Sequence, residues 1–407
     1  MSPPGRPKGE YRSAEHEGDP INPPGRPKGE YRSAEQEGSH ARRLRILFLS
    51  GGTLVGRNVL ATLAGRRELL TLIAMSSVAD EPTLFEFDTV YLAPPTLADP
   101  PEFERRLLEV IDHEAPDLVA PGRDDDVLFL GGLRDRRPDL APRLLVGNLQ
   151  TAEAVSDKWR SYEFCRRHGL PFADSLVRGA ARTPAEFVHD CGWPLVAKPR
   201  RGFSSRDVLL VTNERQLERA LEREDFVVQQ FLGDPRRVAE HVAAVEREGI
   251  PLSHSFQGHK HSIQVCIGPD GATVYVICTQ NMRPTLTSKL VRPDPDPDAH
   301  ALGEQCARAF AIAGWRGPLN IQCQRDAAGE LRIHEFNGRF SGATADRWLL
   351  GFDEVGATIA AFTGRVLPGG AAPAPPAQRA LEGLASRATD PLRIAALARD
   401  GIWRAPA

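Results

Sequence analysis

Two runs late in the chain, LNIQCQ at 319–324 and LRIHEFN at 331–337, are joined by RDAAGE, whose Gly329 marks a tight turn. This pattern constrains the fold strongly: it reads as two neighbouring antiparallel strands of one hairpin. Side chains two apart on a strand point the same way, so Gln322, Glu335 and Asn337 share a face, and Arg339 follows at the same spacing. Apolar Ile333 and Phe336 flank them, so the polar face need not be a surface. A carboxylate and two amide oxygens converging on one spot are the hard ligands that Mg²⁺ takes beside phosphates. The adjacent Arg339 would then meet a phosphoryl group. The competing reading is an ordinary solvated strand end closed by a Gly turn. A Lys-Gly-Ser loop upstream, KPRRGFSSRDV at 198–208, weighs against it, because it stands where a phosphate clamp would be wanted.

Ahead of the hairpin, strands and helices alternate. From Arg45 the runs RILFLS, LLTLIAMSS, DTVYLAPP and PDLVAPGRDDD read as strands, with helices in NVLATLAGR and FERRLLEVIDHE. Such alternation predicts a parallel sheet with helical crossovers. GGTLVG is not GxGxxG, and no acidic residue ends the second strand, so dinucleotide binding is not expected. Asp124, Asp125 and Asp126 follow a strand end, where such sheets place ligands, although an acidic turn or helix N-cap is the commoner meaning.

Residues 152–168 read as one helix closed by Gly169. GWPLVAKP, DVLLVT and DFVVQQFL are strands of a small sandwich, with ERQLERALER a helix. RRVAEHVAAVERE reads as an inserted helix. SIQVCIG and GATVYVICTQ join the hairpin in a second, antiparallel sheet, against which HALGEQCARAFAIAGW packs. LRIAALARDGIWRA reads as a short terminal helix after a Pro/Gly linker. The expected class is therefore α/β and α+β.

PPGRPKGEYRSAEHEG at 3–18 recurs almost unchanged at 23–38. Neither copy has an apolar stripe, so residues 1–43 are expected to be a disordered tail. Six cysteines are scattered without CxxC spacing, which fits free thiols in a reducing cytosol. The formal net charge of −3 gives no hint of a nucleic-acid partner, and no run is long and apolar enough for a membrane span. A cytoplasmic location is the expectation.

By these residues the chain resembles the ATP-grasp superfamily, in its carboxylate–amine ligase branch with carbamoyl-phosphate-synthase-like metal ligands. The resemblance runs from about Arg45 to Gly364 and rests on DKW at 157–159, LVAKPRRGFSSRDV at 195–208, VVQQFL at 227–232, GPLNIQC at 317–323 and HEFNGRFSG at 334–342. It implies a Rossmann-like preATP-grasp domain over 44–150, ATP-grasp subdomains over 151–232 and 233–365, and a linker with a short helix over 366–407.

Carried over residue by residue, Lys158 and Lys198 are implied to contact ATP phosphates. Gly202, Ser204 and Ser205 are implied to form the loop that covers them. Gln229 and Gln230 occupy the hinge that meets adenine, although the family often has an acid there. His261, within GHKHSIQV, stands near a position the family usually gives to glutamate, and is read as part of a polar wall of the nucleotide or acceptor pocket. Zinc at a His254/His259/His261 cluster is the less favoured reading. Gln322, Glu335 and Asn337 match the metal ligands, Arg339 the phosphate-contacting arginine, and Arg283 a basic residue aimed at the acyl substrate.

The resemblance implies ATP and Mg²⁺, with Mn²⁺ as a substitute, and ligation of a small-molecule or peptide carboxylate to an amine through an acyl phosphate. A homodimer is compatible with it. The alternatives are a kinase of the same fold and a non-catalytic ATP-binding partner subunit.

Overall fold

Near-continuous apolar runs build the first sheet: β1 (Leu44–Leu49), β2 (Leu70–Ser76), β3 (Thr89–Leu92) and β4 (Leu118–Ala120). They are parallel, as the sequence predicts, and stand in the order β3-β2-β1-β4, with helices α1 (Leu54–Leu63), α2 (Pro100–Glu114) and α3 (Asp124–Arg136). Both faces are covered, which is why the strands are apolar throughout rather than alternating. The strand order reverses at β1, so a crevice opens beyond the carboxyl ends of β1 and β4. There the two loops touch: a Cβ on Gly122 would lie 2.5 Å from the Leu49 carbonyl oxygen.

The computed structural model describes residues 42–202, 206–249, 260–282, 288–370, 379–382 and 390–406. The N-terminal repeats lie outside them. The acidic run 124–126 is the first turn of α3, where carboxylates suit the helix dipole. Asp126 accepts from the backbone N–H groups of Gly122 and Arg123 and from the Thr96 hydroxyl.

The single helix expected over 152–168 is two, α4 (Leu149–Ser156) and α5 (Lys158–Arg167). Asp157 breaks it: its backbone is extended, and its carboxylate caps α5 by accepting from the N–H groups of Trp159 and Arg160. Local side-chain bonding defeats the helical periodicity here.

A small antiparallel sheet follows. Its strands are β5 (Ser175–Leu176), β6 (Leu195–Pro199), β7 (Leu209–Val211) and β8 (Phe226–Gln230), in the order β5-β8-β6-β7. Helices α6 (Pro184–Cys191) and α7 (Glu214–Leu221) supply Phe187 and Leu217 to its core. The inserted helix is α8 (Pro235–Glu248).

The larger antiparallel sheet holds β9 (Lys260–Ile267), β10 (Thr273–Met282), β11 (Ser288–Pro293), β12 (Gly317–Arg325), β13 (Leu331–Asn337) and β14 (Arg379–Glu382). Its order is β13-β12-β9-β10-β11-β14. Helix α9 (Pro297–Ala313) covers one face so closely that a Cβ on Gly303 would meet Val276 at 2.7 Å and Ile263 at 2.8 Å. Gly329, at φ +86°, turns the β12–β13 hairpin as expected. The two antiparallel sheets meet where Ala173 N–H donates to the Ile333 carbonyl at 2.7 Å and Ile333 N–H donates to that of Pro171 at 2.8 Å.

After β13 come α10 (Thr344–Leu349) and α11 (Glu354–Thr363). The expected terminal helix is α12 (Pro391–Asp400), but it stops at Gly401, which sits at φ +68°. The residues beyond it form β15 (Ile402–Arg404), antiparallel to β3, so the chain's end adds an edge strand to the first sheet. Among the described residues no helix is long and apolar enough to cross a membrane, and all six cysteines are free.

Candidate active site

The hairpin register decides which side chains can act together. Gln322 pairs with Glu335, and Asn320 with Asn337, so all four share one face of the sheet. On the neighbouring strand β9, Ser262 pairs with Gln322 and Gln264 with Asn320, so they join that face. It is the face away from α9. The face expected from alternation therefore forms, with Asn320 an addition that the same two-residue period could have supplied. Asn320 is buried and donates to the Ser262 hydroxyl and the Ile263 carbonyl.

His334 interrupts the ladder. Gln322 faces Glu335, but the next residue, Cys323, faces Ile333, so His334 is the extra residue of a β-bulge. Its carbonyl, freed from the ladder, accepts from Lys198 Nζ at 3.1 Å. Its ring Nε2 is buried and has no partner among the described residues. Burial above all, and then the ammoniums of Lys198, Lys260 and Lys158, hold this imidazole well below its ordinary pKa.

Beyond β13 the chain must turn sharply. A Cβ on Gly338 would lie 2.4 Å from the fully buried Trp315 ring and 2.9 Å from Val155, so only glycine fits between Asn337 and Arg339. The turn brings the Arg339 guanidinium back onto Asn337, where Nη2 donates to Oδ1 at 3.0 Å. Arg339 Nε donates to Asp124 Oδ1, also at 3.0 Å. Asn337 is buried, and its Nδ2 has no partner among the described residues.

Two lysines approach from the other side. Lys158, the first residue of α5, is aimed by the helix break at Asp157. Its Nζ donates to the Gly202 carbonyl at 3.3 Å and lies 3.5 Å from Glu335 Oε1. Lys198 on β6 is 8% exposed. Burial pulls its ammonium down, Glu335 pulls it up, and Lys158 and Lys260 add to the lowering; the outcome is about 7. The root of the glycine loop is pinned to α5 as well. Lys158 N–H donates to the Arg200 carbonyl, and the Arg200 guanidinium grips the Asp157 carboxylate at 2.8 and 3.2 Å.

The structure thus brings Lys158, Lys198, Gly202, Gln322, Glu335, Asn337 and Arg339 together. Asp157, His334, Asp124 and Lys260 were not read as site residues. Asp157 and His334 had a signal only in being next to assigned ones, and Asp124 in the acidic run. Ser204, Ser205 and Arg283 lie outside the described residues, as do His254 and His259.

Two readings require correction. His261 is not on the pocket face. It alternates with Ser262 and stands on the α9 side, where Nδ1 meets Asp294 Oδ2 at 2.6 Å. Gln229 and Gln230 cannot both meet a base, because successive strand residues face opposite ways. Gln229 shares the Lys198 face but donates to the Ser175 hydroxyl at 3.0 Å, while Gln230, opposite Leu195, lies on the other face.

The chemistry of this cleft fits a magnesium nucleotide. Hard oxygen donors stand on one face, and a buried ammonium opposite them has one carbonyl as its hydrogen-bond acceptor. Phosphate oxygens would satisfy Lys198, whose charge burial otherwise disfavours.

No family model and no curated protein matches this sequence, but its fold has clear likenesses among solved structures. N5-carboxyaminoimidazole synthetase from Staphylococcus aureus, one of whose two structures is complexed with ADP, aligns at 14% identity and TM-score 0.58 over 80% of this chain and 79% of that one. The biotin carboxylase domain of 2-oxoglutarate carboxylase from Hydrogenobacter thermophilus was solved with MgADP, ADP and bicarbonate. It aligns at 16% and 0.53 over 81% and 71%. An L-amino acid ligase from Bacillus licheniformis aligns at 14% and 0.53 over 79% and 75%. At such identities the likeness is one of fold: a parallel sheet with helical crossovers comes ahead of two antiparallel sheets.

Proposed function

We propose that the protein is an ATP-dependent carboxylate–amine ligase. The observation that carries the reading is Lys198, a buried ammonium set against the face that bears Gln322, Glu335 and Asn337. An apolar side chain would serve folding better at that position; a cation is useful there if an anion arrives.

In this reading Lys158 and Lys198 bind the nucleotide's phosphates, and the loop rooted at Arg200 to Gly202 covers them. Gln322, Glu335 and Asn337 would hold Mg²⁺, which supplies charge neutralisation on the phosphates. Arg339 stabilises charge on the phosphoryl group as it passes to a substrate carboxylate. The carboxylate oxygen bonds to γ-phosphorus, and the bond to the β-bridging oxygen breaks, giving acyl phosphate and ADP. An amine then attacks the acyl carbon and phosphate leaves with its C–O bonding pair. The fold likenesses to a biotin carboxylase and an L-amino acid ligase support a ligase over a mere nucleotide binder.

The test is a coupled ADP-release screen of amino acids, short peptides and other small carboxylates, offered singly and with amines. Release that needs both a carboxylate and an amine supports the ligase. Release with one substrate and a stable phosphorylated product would make the protein a kinase. ATP binding with no release under any pairing would favour the non-catalytic subunit.

A further inference from the structure

Behind the turn that carries Arg339 lies a fully buried ion pair. Arg347 on α10 and Glu354 at the start of α11 are both wholly removed from solvent, with Nε to Oε2 at 2.5 Å and Nη2 to Oε1 at 3.1 Å. The same Nη2 donates to the Ser341 hydroxyl at 2.8 Å and to Gln264 Oε1 at 3.0 Å. Gln264 is itself fully buried, and its Nε2 donates to the carbonyl of Arg339 at 3.4 Å. Ser341 in turn receives the Ala343 N–H. One guanidinium therefore reaches the Arg339 turn twice, through a strand and through a serine of the turn itself.

A buried pair of this kind is a poor source of stability, because taking both charges out of water offsets most of their attraction. Arg347 Nη1 even lacks an acceptor among the described residues. Packed apolar side chains would fill the same space at least as well. What they could not do is fix a backbone carbonyl by directional hydrogen bonds. Next door the pair is anchored to the first domain, where Arg66 clasps Asp353, the N-cap of α11, at 2.6 and 3.1 Å.

We propose that Arg347 is a positioning residue: through Gln264 and Ser341 it sets the Arg339 turn, and so the aim of the Arg339 guanidinium at the nucleotide's terminal phosphate. The inference rests on the reading of Arg339 as a phosphate contact. Arg347 itself is fully buried behind the turn and does not reach the nucleotide. Its loss acts on the phosphate end of the ligand and leaves the adenosine end alone.

The test is calorimetric titration of the full chain with Mg²⁺ and either AMP-PNP or adenosine. Arg347→Met alone would strand Glu354 and risk misfolding, so the variants are Arg347→Met/Glu354→Met, which removes both charges, and Gln264→Met, which leaves the ion pair intact. Each should keep a cooperative melt. Each should weaken AMP-PNP about three- to tenfold, the scale of one ordinary hydrogen bond lost, with adenosine affinity unchanged. Should the double variant fail to fold, Gln264→Met decides. Folded variants whose AMP-PNP affinity matches the parent's overturn the proposal, as does an equal loss for both ligands, which marks a merely structural role. Arg339→Ala separates the two levels: if it too leaves AMP-PNP binding untouched, the functional reading of Arg339 fails, and the positioning claim with it.

Discussion

Arg339 and Asp124 are joined by a hydrogen-bonded ion pair of 3.0 Å, although 215 residues separate them in sequence. One stands just past the end of β13; the other opens α3 at the crevice of the first sheet. The pair therefore ties the end of β13 to the parallel sheet whose crevice lies alongside. Asp124 and Asn337 hold the Nε and Nη2 of Arg339, and the Phe340 carbonyl accepts from Nη1 at 3.3 Å, so a phosphoryl group drawn to this guanidinium would compete with the Asp124 carboxylate for its charge.

That competition is measurable. Asp124→Asn removes the competing charge and keeps the shape. A partly exposed pair is worth about 0.2–1 kcal/mol, so AMP-PNP should bind up to about fivefold more tightly. Titration calorimetry checks it, and weaker binding would show that Asp124 supports the nucleotide site instead of restraining it.

Glu335→Gln keeps the side chain's shape and removes its charge. If Glu335 holds the metal, turnover in the ADP-release assay falls by orders of magnitude, because each ~1.4 kcal/mol of lost transition-state stabilisation is tenfold. Raised Mg²⁺, or Mn²⁺ in its place, should restore part of the rate. Asn337→Ala should behave alike but more mildly. Parental turnover in Glu335→Gln at every metal concentration would remove this strand from the chemistry.

Lys198 gives the pH dependence. Its value is about 7 in the fold against 10.5 ordinarily, so between these the unfolded chain binds the extra proton and stability rises with pH. Below that window both states are charged, and the cost of burying the ammonium is fully present. The buried thiols, raised from 9.0, act with the opposite sign once the unfolded chain's cysteines ionise, so the Lys198 contribution is read as a difference: from about 7 upward, urea midpoints in the parent should rise with pH relative to those of Lys198→Met. If Lys198 meets the phosphates, AMP-PNP binding above about 7 should take up a proton, seen as a dependence of binding enthalpy on the buffer. Lys198→Met should abolish that uptake; an unchanged uptake would assign the proton elsewhere.

Asp157→Ala removes the cap of α5 and the anchor of Arg200 together. A lost cap with its charged hydrogen bonds should destabilise the fold by about 1–3 kcal/mol, read from urea unfolding. Nucleotide binding should weaken as well, since Lys158 and the loop root share this anchor. Asp157→Asn should recover most of the stability, because an amide oxygen still caps. If it recovers neither stability nor binding, the Arg200 contact outweighs the cap.

The sequence by itself determined what is local and periodic. The two-residue alternation of LNIQCQ and LRIHEFN, with Gly329 between them, sufficed to place Gln322, Glu335 and Asn337 on one face. The apolar runs after Arg45 likewise announced a parallel sheet. What the tertiary structure decided depends on partners far away in the chain. The face of a strand that meets a neighbouring sheet is set by register, so His261 went to the α9 side while the residues on either side of it faced the cleft. The bulge at His334 answers to Lys198, the helix break at Asp157 to Arg200, and the fifth strand of the first sheet to the chain's own end. Periodicity fixes which side chains share a face, because backbone geometry repeats. It cannot say what that face will meet, because a contact such as Asp124 with Arg339 forms only once separate elements have packed.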